Sequence, residues 1–293
     1  MRITQNISYN TFINDIMRRQ ENVYDLNKQI STSKRVNAPS DDPVKAKEII
    51  SAKGILKNFE QYERNIDSGL SYLSTAEGAL DTAKDVLSQI QEIAVNHATG
   101  TSEASARLNA ANVVSNLYDQ LVSVGNTTVD NKYVFSGFKT GTQAFTSTGA
   151  YQGDANKQQI RINTNSTMNL GLNGGEIFKG TAGGVDIMQG VADLKTALET
   201  NDAAGIQASI GTLEASFDQI SGAVADIGGR VSRLTTAKDD FSSSKLELKS
   251  QISVLEDADI IQVMSDLKLS QVALEAAMSS AGKVFSINIF DYL

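Results

Sequence analysis

A single apolar stripe of about fifty residues limits what this chain can fold into. From Ile206 to Leu255, apolar residues recur at alternating steps of four and three, with Lys238 and Lys245 in two of the positions. This spacing is typical of a long helix packed against another helix. A straight helix of that length spans roughly 75 Å, whereas a compact globule of 293 residues has a radius of gyration of about 19 Å. The stripe therefore predicts an elongated, rod-like molecule.

Shorter stripes with the same spacing predict further helices. They lie within residues 12–30, 59–94, 110–124 and 187–198. The phase of the long stripe breaks in the acidic segment 256–259, and a new stripe begins directly after it. We interpret this break as a boundary between two packing environments.

Residues 131–185 have a different character. They hold ten of the 22 glycines and carry no helical stripe. Tyr133–Phe135 is predicted to be a short strand, and Gln158–Asn163 alternates between polar and apolar residues as a strand does. We predict a small β-rich insertion between helical segments.

The predicted fold is mainly α, an elongated rod of long helices with paired terminal coiled-coil helices and a small inserted β-rich domain. The order of segments is nearly palindromic, so the two chain ends should meet in space. The predicted domains are an N-terminal tail helix (1–42), the first half of the helical rod (43–138), the β-rich insertion (139–185), the second half of the rod (186–255) and a C-terminal tail helix (256–293).

Composition argues against most kinds of chemistry. The chain has no Cys and a single His, His97, which we expect to cap a helix or face solvent. Metal sites built from Cys or His and Ser–His–Asp catalysis are therefore not expected, and no phosphate-binding or dinucleotide motif is present. We predict no enzymatic activity, metal or cofactor, although a glycosidase-like carboxylate pair stays possible.

Charge and hydropathy limit which partners and which targeting signal are expected. A net charge of −8 argues against nucleic acid as a partner. No apolar run approaches the ~18 residues of a membrane helix, so no membrane partner is expected. The polar N-terminus lacks the apolar core of a cleaved signal peptide.

Two motifs and the chain end resemble the bacterial flagellin superfamily. Residues 29–43 read Q-I-S-T-S-K-R-V-N-A-P-S-D-D-P and match a long motif of that superfamily, with Ser33 where Gly is common. Residues 133–138 read Y-V-F-S-G-F, which, with residues 269–293, is more like subunits that join the hook to the filament. The matched motif residues are Asn37, Pro39, Ser40, Asp41, Asp42, Pro43, Tyr133, Phe135 and Gly137. Independently of the resemblance, Asp42 and Pro43 are predicted to cap and open a helix.

The resemblance implies a structural adaptor at the junction between hook and filament. Its implied partners are neighbouring copies of itself in a ring, the first hook-associated protein, flagellin, and an export chaperone bound to the C-terminal helix. The implied location is extracellular, in the flagellum, after export by the flagellar type III system without a cleaved signal peptide.

The stripes of the two terminal helices are too extensive for one subunit to bury. We predict that assembly orders these helices and covers their apolar residues. The predicted assembly interface consists of Phe12, Ile16, Val23, Leu26, Ile30, Ile260, Met264, Leu267, Leu274, Met278 and Phe285.

Three other functions stay open on the sequence. A filament-forming flagellin would share the fold and would differ by polymerising alone. A secreted enzyme on a flagellin scaffold would need catalytic residues within 131–185, where there is neither His nor Cys. A cytoplasmic coiled-coil scaffold would not need the β-rich insertion.

Overall fold

A computed structural model of the chain describes residues 2–99 and 102–290, with the side chains of residues 7, 9–99 and 102–283. These residues are mainly helical, with a small β part, as the sequence predicts. The helices are α1 (Arg2–Thr32), α2 (Pro43–His97), α3 (Ala104–Gly125), α4 (Gly174–Lys179), α5 (Ile187–Glu199), α6 (Ala203–Glu256) and α7 (Ile260–Phe290). The strands are β1 (Thr128–Val129), β2 (Lys132–Tyr133), β3 (Gln159–Asn163) and β4 (Ser166–Asn169).

The long apolar stripe lies in one continuous helix, as predicted. Helix α6 has 54 residues and contains the whole stripe. The phase break coincides with the end of α6 at Glu256 and the start of α7 at Ile260. The helix is therefore interrupted where the helical spacing of its apolar residues changes register. No helix within the described ranges is both long and apolar enough to cross a membrane.

The chain divides into two compact units. The terminal unit contains Met1–Asn58 and Ser243–Leu293, and the core unit contains Phe59–Ser242. Helices α2 and α6 each contribute to both units. The finer division into five domains stays a prediction.

The core unit is built on the predicted helical stripes. Helix α3 packs against α5, and one hydrophobic cluster joins residues from α2, α3, α5 and α6. Leu80, Val114, Leu194 and Leu234 are fully buried in it, one from each helix. Dense burial of this kind is the main source of stability in a globular unit.

The insertion consists of two short hairpins and connecting turns. Strand β1 pairs with β2, and β3 pairs antiparallel with β4. Asp130 and Asn131 between β1 and β2 both have positive φ, at 49° and 60°, as a two-residue hairpin turn with the right twist requires. The strand predicted at Gln158–Asn163 is confirmed as β3.

The strand predicted at Tyr133–Phe135 is wrong in its extent, because β2 ends at Tyr133. Phe135 instead enters the core, where its ring packs edge-on against Phe178 at 5.4 Å between centroids. Gly137 then turns the chain with φ of +70°, and a Cβ there would come within 2.4 Å of the Asp154 carboxylate. Burying the Phe135 ring contributes more to stability than extending this two-residue strand by one more hydrogen-bonded pair would.

The insertion does not form a separate core. Phe145 and Phe178 are fully buried in the same cluster as the helices. Gly69 of α2 lies directly under Ile160 of β3, and the Asn65 side-chain amide donates to the carbonyl of Arg161 at 2.9 Å. Side chains of residues 139–185 therefore contribute to the hydrophobic core of the helical unit.

Arg107 is a buried charge that the sequence analysis did not single out. Its side chain is 3% exposed and donates to the carbonyls of His97, Thr99 and Asn201 and to the Asn201 side-chain oxygen, at 2.6–3.4 Å. His97 ends α2, and its Nδ1 lies 2.8 Å from the Ser102 hydroxyl. Arg107 thus joins the end of α2 to the turn between α5 and α6.

Candidate assembly surface

The two terminal helices pack against each other. The predicted interface residues of α1 are half-buried along the helix, as are three of those on α7. Met264 and Met278 are instead 58% and 57% exposed. Phe285 lies outside the described side chains. The half-buried members are Phe12, Ile16, Val23, Leu26, Ile30, Ile260, Leu267 and Leu274.

Burial on α7 defines a seam with heptad spacing. Val263 and Ala281 are buried, and half-buried residues lie between them at steps of three and four. The sequence analysis placed the seam through Met264 and Met278, which lie one residue farther along the helix. A 3-4 pattern starting at Ile260 fits either register, and the observed register places both methionines beside the seam. The seam consists of Ile260, Val263, Leu267, Ser270, Leu274, Ala277 and Ala281.

The terminal unit leaves much of its apolar surface uncovered. Fourteen of the eighteen exposed large apolar side chains belong to this unit, whereas only six of the forty-five buried apolar residues, alanines included, do. On α7, Ile261, Leu269 and Val272 are 84%, 67% and 53% exposed on the side away from the seam. A concentration of exposed apolar side chains in one unit is typical of an interaction site. We call the exposed large apolar side chains of the terminal unit the assembly surface.

The motif at residues 37–43 forms a capped turn, as predicted. The Asp41 carboxylate accepts the backbone N–H groups of Asn37 and Ala38 at 2.9 and 2.8 Å. The Asp42 carboxylate accepts the N–H of Lys45 at 3.0 Å and caps α2, which begins at Pro43. These backbone N–H groups hold the pKa of both carboxyls below the usual value.

The segment before this turn is joined to the break between α6 and α7. The Arg35 N–H donates to the carbonyl of Glu256 at 2.7 Å, and the Ala258 N–H donates to the carbonyl of Ser33 at 3.0 Å. Lys34 and Asp257 form an antiparallel bridge between these bonds. We call residues 33–36 and 256–258, with Lys53, the clasp.

Glu256 is the buried centre of the clasp. The residue is 6% exposed, and Lys34 and Lys53 each place Nζ 2.7 Å from its carboxylate. Burial alone raises the pKa of Glu256, but the hydrogen bonds from Lys34 and Lys53 and their charges outweigh it and lower the pKa below 4.5. The sequence analysis interpreted the acidic run 256–259 only as a boundary between two packing environments, because both lysines are remote in the sequence.

We expect the clasp to weaken at acidic pH. A carboxyl whose pKa is lower in the folded state stabilises that state above its unfolded pKa, and the stabilisation disappears as pH falls through the folded value. Since both lysines are half-exposed, we expect a loss of about 1 kcal/mol for Glu256. Thermal unfolding between pH 7 and 3 should show a smaller acid-induced loss for Glu256→Gln than for the wild type. Glu275→Gln, at an exposed position of α7, should behave like the wild type.

Ser33 has a backbone conformation that glycine adopts more easily. It follows the last residue of α1 with φ of +58°, which is the left-handed conformation common after helix ends. This explains why glycine is common at the matching position of the motif. We expect Ser33→Gly to stabilise the terminal unit by about 0.5–1 kcal/mol, because relief of strain exceeds the entropy that glycine adds to the unfolded chain. Ser40→Gly, in the neighbouring turn, should give no gain in thermal unfolding, and equal effects would contradict this explanation.

Within the described part of the chain, no group of three or more His, Cys, Asp or Glu side chains could hold a metal ion. The features that distinguish the terminal unit are its uncovered apolar surface, the capped turn and the clasp.

Comparison with known proteins first shows which class of protein the chain resembles. Residues 3–140 match the family model described as the bacterial flagellin N-terminal helical region. The resemblance to the flagellin superfamily that the motifs indicated is therefore confirmed.

Within that superfamily, the chain resembles the hook–filament junction protein, FlgL. It is 28% identical to flagellar hook-associated protein 3 of Salmonella typhimurium over 99% of both chains. A putative flagellar hook-associated protein from Vibrio parahaemolyticus has the same fold, with a TM-score of 0.69, 22% identity, and coverage of 74% of this chain and 99% of that one. The flagellar junction protein FlgL from Legionella pneumophila gives a TM-score of 0.59 at 16% identity, covering 72% of this chain and all of that one.

Proposed function

We propose that this chain is a structural adaptor of the bacterial flagellum that forms the junction between hook and filament. The observation that carries the proposal is the uncovered apolar surface of the terminal unit, which requires partners for burial. The similarity to a hook-associated protein 3 over 99% of both chains supports partners that are themselves parts of the flagellum. The resemblance to structural proteins also favours a role without catalysis.

Helix α7 is apolar on two sides. One side packs against α1, and the opposite side carries Ile261, Leu269 and Val272 in solvent. A helix that is apolar on opposite sides is stable only when both are covered. Fully burying each large side chain contributes about 1.5–3 kcal/mol, offset by the ordering of the subunits. Neighbouring copies in a ring would supply that cover.

The further partners follow from the proposed position. We propose that the first hook-associated protein contacts the ring on the hook side and that flagellin contacts it on the filament side. An export chaperone would shield α7 before assembly, since exposed apolar helices favour aggregation. The protein would reach the outside of the cell through the flagellar type III system without a cleaved signal peptide.

Binding to hook ends tests the proposed function. Purified protein is added to hooks capped by the first hook-associated protein, and flagellin is added afterwards, with sedimentation and negative-stain imaging as readouts. We expect the chain to bind hook ends without elongating and to permit filament growth by flagellin. Long filaments formed by the chain alone would instead identify a flagellin, and failure to bind hook ends would contradict the junction role.

A further inference from the structure

We propose that three exposed methionines of the assembly surface, Met17, Met264 and Met278, make it sensitive to oxidation and so control whether a free subunit can assemble. The oxidant is a peroxide, and the product at each residue is methionine sulfoxide. The proposal rests on the proposed function, because it assumes that this apolar surface is buried in assembly.

Exposure divides the methionines whose side chains the structure describes between the two units. Met17, Met264 and Met278 in the terminal unit are 61%, 58% and 57% exposed. Met168 and Met188 in the core unit are 4% and 1% exposed. A thioether reacts with peroxide where the oxidant can reach the sulfur. Oxidation of a folded free subunit therefore begins in the terminal unit and leaves the core unit intact.

The reaction needs only the thioether and the peroxide. A sulfur lone pair attacks one oxygen of hydrogen peroxide, an S–O bond forms as the O–O bond breaks, and the other oxygen takes the proton of the transferred hydroxyl and leaves as water. Sulfur loses two electrons and the peroxide gains them.

The positions of these residues give the modification its effect. Met264 and Met278 are two heptads apart and so lie on one edge of α7, beside the seam. Met17 follows the half-buried Ile16 on α1 and is itself exposed. Oxidation converts each flexible apolar side chain into a polar one, and burying that polar group without a hydrogen-bond partner opposes association. Exposed apolar surface is thus lost on both terminal helices.

The experiment oxidises the whole free protein and measures binding. Graded hydrogen peroxide is applied, sulfoxides are located by mass spectrometry of peptides, and binding to capped hook ends is measured by sedimentation. We expect the three exposed methionines to oxidise at least tenfold faster than Met168 and Met188. Binding should weaken at least tenfold while the thermal unfolding of the core unit is unchanged.

A leucine variant separates methionine oxidation from other damage. M17L/M264L/M278L keeps side-chain volume nearly constant and removes the three sulfurs. Its binding to hook ends before treatment is its own reference, and peroxide should leave that binding unchanged. Equal oxidation of exposed and buried methionines would overturn the proposal, as would unchanged binding by the oxidised wild type or equal loss of binding by the treated variant.

The same experiment distinguishes failure of this inference from failure of the proposed function. Untreated wild-type protein that does not bind hook ends contradicts the junction role and, with it, the effect of oxidation on assembly. Untreated protein that binds, and binds equally well once the three sulfoxides are present, contradicts this inference alone.

Discussion

Leu274→Asp is expected to abolish binding to hook ends while leaving the core unit folded. Leu274 is a half-buried member of the α7 seam, so a carboxylate there disrupts the packing of α1 against α7 and the surface that they form together. Loss of the apolar contact and burial of a charge should cost about 2–3 kcal/mol per subunit. Because every copy in a ring carries the change, the effect on assembly is multiplied. Sedimentation with capped hooks measures it.

Leu108→Asp is the matched control for this substitution. Leu108 is 52% exposed on α3 in the core unit, so the same chemical change occurs outside the terminal unit. We expect this variant to bind hook ends normally. Both variants should keep one cooperative thermal transition for the core unit. Loss of that transition in Leu274→Asp would contradict the assignment of Leu274 to assembly.

Arg107→Met is expected to destabilise the core unit by about 3 kcal/mol. The substitution keeps much of the apolar stem but removes every donor to the carbonyls of His97, Thr99 and Asn201. Hydrogen bonds from a charged donor contribute about 1.5–3 kcal/mol each to stability. A buried carbonyl that loses its donor does not recover that free energy from solvent. Urea unfolding should show a lower midpoint with an unchanged slope.

Two further variants show whether the geometry of Arg107 matters. Arg107→Lys keeps the charge but loses the planar fork that reaches two segments at once, so we expect an intermediate loss. Arg64→Met removes an exposed arginine of α2 that contacts Gln61 within the same helix, and it should change stability by less than about 0.5 kcal/mol. A similar loss of stability from all three substitutions would show that Arg107 does not join the end of α2 to the turn between α5 and α6.

The long helices could be predicted because their information is local. The apolar residues of α6 repeat with one period over the whole stripe, and the break at 256–259 changes the phase where the helix ends. Asp42 and Pro43 likewise identify the start of α2 from adjacent residues. Such signals need no knowledge of the partner that covers the helix.

Features that depend on distant residues were missed. Arg107 continues the apolar stripe of α3 at its first position, but its partner Asn201 is 94 residues away. Glu256 pairs with Lys53 across 203 residues, so its burial could not be inferred from the acidic run around it. A charged residue in phase with an apolar stripe is the one signal that could have indicated Arg107.

The register of the terminal helices also depended on the partner. Steps of three and four starting at Ile260 lead either to Val263 or to Met264, and both are apolar. Only the packing of α1 against α7 selects Val263.

The clasp makes the pairing of the two chain ends a local event. Helix α1 ends and α7 begins at the clasp, so the helices run in opposite directions from one shared point although most of the chain separates them in sequence. Once the clasp has formed, the loop-closure entropy of bringing the ends together is already spent, and each helix meets the other at a high effective concentration. Pairing can then proceed like a zipper from the clasp outward. Hydrogen-exchange protection in free subunits should accordingly decline along α1 with distance from Ser33, so that the part of the helix pair farthest from the clasp is the least ordered before assembly.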